Sequence, residues 1–262
     1  TGEDRTSNPP IPEGDWRRIE VVLKIWCSEG LSHPNRRVFC TRQMLQCLFR
    51  FLHASGMRPK EARALRWRDV EFSSAKSDYF HGEGPALRTR MSRGEYESMK
   101  AAVEHGAVLD IVEEPKEIVL VRVLKSKNRT VREVPCEAAA PFLRQWRLIQ
   151  HEFSPVPLSE ESLVFSVPTA AGETPGFSQN NFNITWRKII SRLDGKLKGP
   201  ELSSGQYTPY SLRHSRAIYL IDRGVGVYEA AKMLGHTVQV FEEHYAPYLS
   251  RDTGKRIVAS LN

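Results

Sequence analysis

No stretch of this chain is apolar over anything like the roughly 18 residues that a membrane-spanning helix needs, so a helical membrane protein is excluded. The opening TGEDRTSNPP lacks the apolar core of a secretory leader, which predicts an intracellular, cytoplasmic protein. Cysteine is scarce. Cys27, Cys40, Cys47 and Cys136 form no CxxC pair and no zinc-like spacing, so free thiols in a reducing compartment are expected, with no structural metal and no cofactor. Internal repeats are absent, and biased sequence is confined to the first fourteen residues.

What is present suits one globular domain, with or without appendages. The 262 residues are 40% hydrophobic and include five Trp and eleven Phe, enough for a sizeable core and too many for a disordered chain. Lysine and arginine total 38 against 31 acidic residues, a net charge of +7 that leans toward a polyanionic partner.

Residues 1–14, with Pro9, Pro10, Pro12 and Gly14, read as a linker, and 15–262 as the folded domain. A helix is expected from an N-cap at Asp15 through Trp16, Ile19, Leu23 and Trp26 to Gly30. A second runs from about Thr41 to His53 and closes at Gly56, and Pro59 suits the first turn of a third. Strands are predicted at Val70 to Phe72, Ile118 to Leu124 and Thr130 to Val134, the last ending at Pro135 and forming a hairpin with its predecessor. Residues of roughly 75–117 read as an insertion between the first two strands, carrying a helix of its own. Helical patterns return at about Glu137 to His151, at Ser178 to Leu193 and through the C-terminal third. The expected class is α+β, predominantly helical, with a small antiparallel sheet of about three strands on one side.

Three segments concentrate arginine, histidine and tyrosine: SGMRPKEARALRWRDV from Ser55, TPYSLRHSRAIYLIDRG from Thr208 and KMLGHTVQVFEEHYAPYL from Lys232. Together they resemble the tyrosine recombinase, or phage integrase, family. Arg58 follows Gly56-Met57, Tyr210-Ser-Leu-Arg213-His214 forms a second block, and Leu234-Gly235-His236 precedes Tyr245, which lies nine residues after His236. Any one of these would occur by chance in many helices; four in order and in register are specific. The resemblance implies the family's catalytic-domain fold, covering Trp16 to the C-terminus.

The residue types fit phosphodiester chemistry. Displacement at phosphorus concentrates negative charge on the nonbridging oxygens, and a guanidinium is a permanently charged fork that can grip two of them. The resemblance makes Arg58 and Arg213 the phosphate clamp, His236 a phosphate hydrogen-bond donor, and Tyr245 the nucleophile that forms a 3′-phosphotyrosyl bond and frees a 5′-hydroxyl. The covalent intermediate conserves the bond, so rejoining needs neither metal nor ATP. A phenol of pKa near 10 needs a basic pocket to ionise at pH 7. Tyr248 is the runner-up nucleophile. Tyr210 occupies a position where many members carry His or Lys, and a neutral phenol is a poor general base. Glu61 matches an acidic position that supports the first arginine, His214 reads as a packing residue and His244 as incidental.

The family draws the proton for the leaving 5′ oxygen from a lysine in the second hairpin. KNRTVREVP, beginning at Lys127, reproduces its Lys-x4-Arg-x-Val-Pro, and Lys125 is the alternative. Lys127 lies 69 positions after Arg58, farther than the family usually places it, because of the insertion. The sequence is read as lacking the N-terminal core-binding domain that completes a clamp around DNA in the family; either the chain is excised from a longer protein, which a start at Thr1 favours, or the member is naturally short. The tail Lys255 to Leu261 is similar to one that docks on a neighbouring protomer. The implied partners are double-stranded DNA, a homo-tetramer on two duplexes, and DNA-bending accessory proteins. A type IB topoisomerase shares the chemistry, and a catalytically silent DNA-binding module is the non-enzymatic alternative.

Overall fold

The computed structural model describes residues 9–73, 118–124, 131–193 and 207–245. The chain divides into two compact units, Thr1–Ser73 with Ile118–Asn262, and Ser74–Glu117. The second unit lies outside the described residues, as do Lys125, Lys127, Tyr248 and the tail from Lys255.

The main unit is built on α2 (Arg36–Ser55), a helix whose Cys40, Met44, Leu45, Leu48, Phe49, Phe51 and Leu52 are all buried. Asn35 caps its start by accepting from the Arg37 amide, and Gly56 ends it in the left-handed region at φ 64°, where a residue without Cβ is favoured. Around α2 pack α1 (Glu13–Ser28), the one-turn α3 (Pro59–Ala62), α4 (Ala140–Phe153) and α6 (Pro209–Asp222), while α5 (Gln179–Ser191) packs on α1. Three buried indoles find acceptors. Trp67 donates to Gln150 Oε1 at 2.8 Å, Trp146 to the Val164 carbonyl at 2.6 Å and Trp186 to the Tyr207 carbonyl at 2.8 Å.

The sheet has three antiparallel strands in the order β1 (Val70–Ser73), β2 (Ile118–Val123), β3 (Arg132–Cys136). Val119, Val121 and Val123 alternate toward the core, opposite Cys136, Val134 and Arg132. The third strand continues one residue past the expected stop at Pro135; as an edge strand it tolerates a residue with no N–H. A second core cluster joins α6 to α7 (Val227–Leu234) and α8 (residues 238–245) through Leu220, Ile221, Ala230, Leu234, Phe241 and Tyr245.

Two expectations at the N-terminal end need correction. Helix α1 begins at Glu13 behind Pro12, so Asp15 is not its cap. Instead Asp15 is buried in the first turn, where it accepts from the Tyr207 hydroxyl at 3.0 Å and from Arg18 at 2.8 Å. Packing also starts inside the stretch read as linker, because Ile11 is buried and its amide bonds Ser215 Oγ at 2.8 Å. All four cysteines are free and buried, and burial pushes the Cys40 and Cys136 thiols up to about 12. Among the described residues no helix is long and apolar enough to cross a membrane.

His53 stacks on Trp16 with ring centroids 3.9 Å apart and 8° between planes. Burial and then the charge of Arg216 push its imidazole down to about 3, so it stays neutral in the folded chain. The unfolded chain takes up a proton near pH 6.5 that the folded chain resists, so this contribution is complete above pH 6.5 and is lost progressively as pH falls toward 3. The urea midpoint is therefore expected to drop between pH 7.5 and pH 5. His53→Phe, which keeps the stack but cannot titrate, should make that drop smaller; an unchanged slope would contradict this account.

Candidate active site

The site is organised by the C-terminal end of α7. A helix end leaves its last carbonyls without intrahelical partners and carries the negative end of the helix dipole. Here three consecutive carbonyls each accept from a different arginine. Met233 takes Arg132 Nε at 2.9 Å, Leu234 takes Arg213 Nη2, and Gly235 takes Arg58 Nη2 at 3.1 Å. Gly235 sits at φ 71°, and a Cβ on it would lie 3.0 Å from Arg132 Cζ and Nη1. The glycine of the Leu-Gly-His block therefore serves both the left-handed turn and the close passage of a guanidinium.

Arg58 occupies the N-cap position of α3, and the helix that Pro59 opens brings Glu61 back beneath it. Glu61 Oε2 accepts from the Arg58 amide at 3.0 Å and Oε1 from Arg58 Nη1 at 2.9 Å. The same carboxylate takes Arg132 from the other side, Nη2 at 2.6 Å and Nη1 at 3.3 Å. Burial pushes the Glu61 carboxyl up, but the hydrogen bonds and charge of Arg132, with the bonds from Arg58, outweigh it and hold the group below its ordinary value.

Arg213 is 2% exposed and points from α6 into the same place. Its Nη1 donates to the Gly56 carbonyl at 2.6 Å, so the two left-handed turns that end α2 and α7 are joined through one side chain. Burial, and then the nearby charge of Arg58, push Arg213 down to about 10, still a cation at neutral pH. Among the described residues it has no carboxylate partner, so three guanidiniums share one carboxylate and the site carries excess positive charge.

His236 follows directly, its amide bonded to the Ala231 carbonyl at 2.8 Å. Burial first, then Arg213 and Arg58, push its imidazole down to about 3, so it is neutral at working pH. Nδ1 of His236 and Nε of Arg213 are buried with no hydrogen-bond partner among the described residues. Tyr245, on α8, is 2% exposed, its ring stacked at 6.5 Å from that of His236 and tilted by 49° against that of Phe241 at 4.7 Å. Its hydroxyl lies 2.9 Å from His214 Nδ1. Tyr210 stands at the rim, 41% exposed, with its ring 6.2 Å from that of His214.

Arg58, Arg213, His236 and Tyr245 thus converge from α3, α6, the α7 turn and α8, with Tyr210 at the edge; Lys127 lies outside the described residues. The model of the phage integrase family matches residues 31–247. The chain belongs to that family. A tyrosine recombinase XerC-like protein of Caldanaerobacter subterraneus subsp. tengcongensis is 23% identical over 236 residues, covering 87% of this chain and 51% of the relative. Among solved structures, XerH site-specific recombinase bound to its difH substrate superposes with a TM-score of 0.52 at 17% identity, over 89% of this chain and 49% of that one. The Tn1549 transposon integrase in complex with transposon right-end DNA gives 0.54 at 12% identity, over 98% of this chain and 69% of that one. The chain spans about half the length of the curated relative it matches, and at these identities the structural likenesses establish the fold.

Two members of the cluster were given no part in the site by the sequence reading. Arg132 is 6% exposed, and its signal was the strand alternation that sets it on the same inward face as Val134, where a cation needs a carboxylate. His214, read as a packing residue, reaches the Tyr245 hydroxyl; it lies one helical turn after Tyr210, on the same face.

Removing one side of a buried ion pair leaves the other charge stranded, at a cost of about 3–5 kcal/mol. Arg132→Met is expected to destabilise by that order in urea unfolding. Arg132→Met with Glu61→Leu should recover part of the loss, since Arg58 then remains unpaired; strict additivity of the two changes would show that the Glu61–Arg132 bond carries little.

Proposed function

We propose that this chain is the catalytic portion of a site-specific DNA recombinase that cleaves and rejoins strands through a 3′-phosphotyrosyl bond to Tyr245. The observation that carries the reading is the convergence of a tyrosine hydroxyl with two anchored guanidiniums and a neutral imidazole in a pocket of excess positive charge. In this reading the scissile phosphodiester enters beside Arg58 and Arg213. Guanidinium N–H groups not engaged by carbonyls or by Glu61, including Arg213 Nε, face the nonbridging oxygens. His236 donates a hydrogen bond to one of them, a role open to neutral imidazole when the proton is on the nitrogen facing the phosphate.

Rigid donors of this kind lower the barrier because they do not reorganise as charge builds on phosphorus. Anchoring each arginine on a helix-terminal carbonyl supplies that rigidity. The phenolic oxygen attacks in line, the 5′ oxygen departs with a proton from the hairpin lysine, Lys127 in the sequence reading, and reversal by a second 5′-hydroxyl rejoins the strand. Double-stranded DNA as substrate accords with the net charge of +7 and with the DNA complexes of the structural relatives.

Incubation with supercoiled plasmid in EDTA at low salt should yield an SDS-resistant protein–DNA adduct with the native chain and none with Tyr245→Phe, while DNA retention on filters stays equal. Arg58→Ala should slow adduct formation about 10²–10³-fold. Adduct formed by Tyr245→Phe would remove Tyr245 as the nucleophile. Plasmid relaxation with no strand transfer between duplexes would favour a topoisomerase, and equal binding with no cutting by any form would favour a DNA-binding module.

A further inference from the structure

The phosphate-binding scheme leaves His214 without a task, although it makes a direct polar contact to the proposed nucleophile. Its Nδ1 lies 2.9 Å from the Tyr245 hydroxyl, with the rings 5.7 Å apart and inclined by 57°. Resting on the reading of Tyr245 as nucleophile, we propose that His214 is a catalytic residue, taking the phenolic proton on Nδ1 as the tyrosine oxygen attacks phosphorus and returning it when the strand is resealed.

The step balances without a further reactant. The Tyr245 Oη–P bond forms, the P–O5′ bond breaks, and its electron pair goes to the 5′ oxygen, which is protonated by the general acid. The tyrosine proton is held on His214 as an imidazolium. On resealing, the incoming 5′-hydroxyl gives its proton back to the acid, and the departing tyrosine oxygen recovers its own from His214.

Geometry favours His214 over its neighbours. A general base must lie about 2.6–3.2 Å from the atom whose proton it takes, and His214 does so before any substrate arrives. The groups facing it are Tyr210 and Arg213 from α6, His236 from the α7 turn, and His244 and Tyr245 from α8. Tyr210 is a phenol at the rim, and His236 stacks on the ring of Tyr245. Helix α6 is fixed on both sides of His214, by the Arg213 bonds to two carbonyls and by the Ser215 bond to the Ile11 amide. Burial, then His244 and Arg213, push the His214 imidazole down to about 4, so it is neutral and able to accept at pH 7. A bound phosphodiester puts negative charge among these same cations, which raises the basicity of His214 at the moment the proton must move.

The test is single-turnover adduct formation on supercoiled plasmid in EDTA, from pH 6 to 9, with the native chain and with His214→Gln. The same pair is made with a trifluorinated, more acidic tyrosine at position 245. His214→Gln is expected to slow cleavage about 10²-fold at pH 7 with DNA retention unchanged. Its rate should climb with pH, and the fluorinated ring should restore most of the loss. His214→Asn, whose amide can take the Nδ1 position, serves if the longer amide disturbs the helix. Wild-type rates in both amide variants would overturn the proposal. So would a loss that is constant with pH and not restored by the fluorinated ring, since His214 would then only hold α8 in place. A native chain that binds plasmid but never forms an adduct would instead sink the nucleophile reading, and this proposal with it.

Discussion

Three carbonyls at the end of one short helix set the arrangement on which the rest of the molecule depends. Met233, Leu234 and Gly235 are at the terminus of α7, where the backbone has acceptors to offer and the dipole is negative. The arginines that meet them come from β3, α6 and the turn before α3, segments separated by up to 155 residues between Arg58 and Arg213. Each bond is of ordinary strength, yet together they fix the position of three cations relative to one another. Glu61 completes the set by binding two of those cations at once, so the sheet and α3 are joined through a single carboxylate.

The same bonds serve fold and chemistry. Arg213 joins the left-handed glycine turns ending α2 and α7, and without it Gly56 and Leu234 would present buried carbonyls to nothing. A guanidinium has five N–H donors, which allows two terminal nitrogens to hold the backbone while other hydrogens remain for an anion. The clamp inferred from sequence is thus more constrained than a free fork: its orientation is decided by protein acceptors before any phosphate is present. Such preorganisation separates a site built for developing charge from a merely basic surface.

Burial, reinforced by the excess positive charge, explains why the histidines in this place are neutral. Burial is the larger influence on both, followed by Arg213 and Arg58 at His236 and by His244 and then Arg213 at His214, and each of these opposes a further proton. In the mechanism proposed above, neutral imidazoles beside fixed guanidiniums would divide the labour, with charge supplied by groups that cannot lose it and proton traffic left to groups that can.

Much of this was legible in the chain. Periodicity located α2, its closing glycine, the proline that opens α3 and the β2–β3 hairpin, because those signals are local: apolar spacing, a left-handed stop, a fixed φ. The resemblance named Arg58, Arg213, His236 and Tyr245, and the fold brings them into one cluster. Asp15 was misread because a carboxylate near a helix start has two uses, and the choice was made by Tyr207, 192 residues away. Arg132, noted only as part of the hairpin motif, and His214, read as packing, were given no place in the site for the same reason, since a strand arginine or a helix histidine acquires its meaning from what folding sets opposite it. Residue type and spacing by themselves determined the helices, the sheet and the chemical vocabulary. Which carboxylate faces which guanidinium, which carbonyl each arginine holds and which imidazole meets the tyrosine were decided only by tertiary structure, because burial and contact depend on chain segments that sequence distance does not bring together.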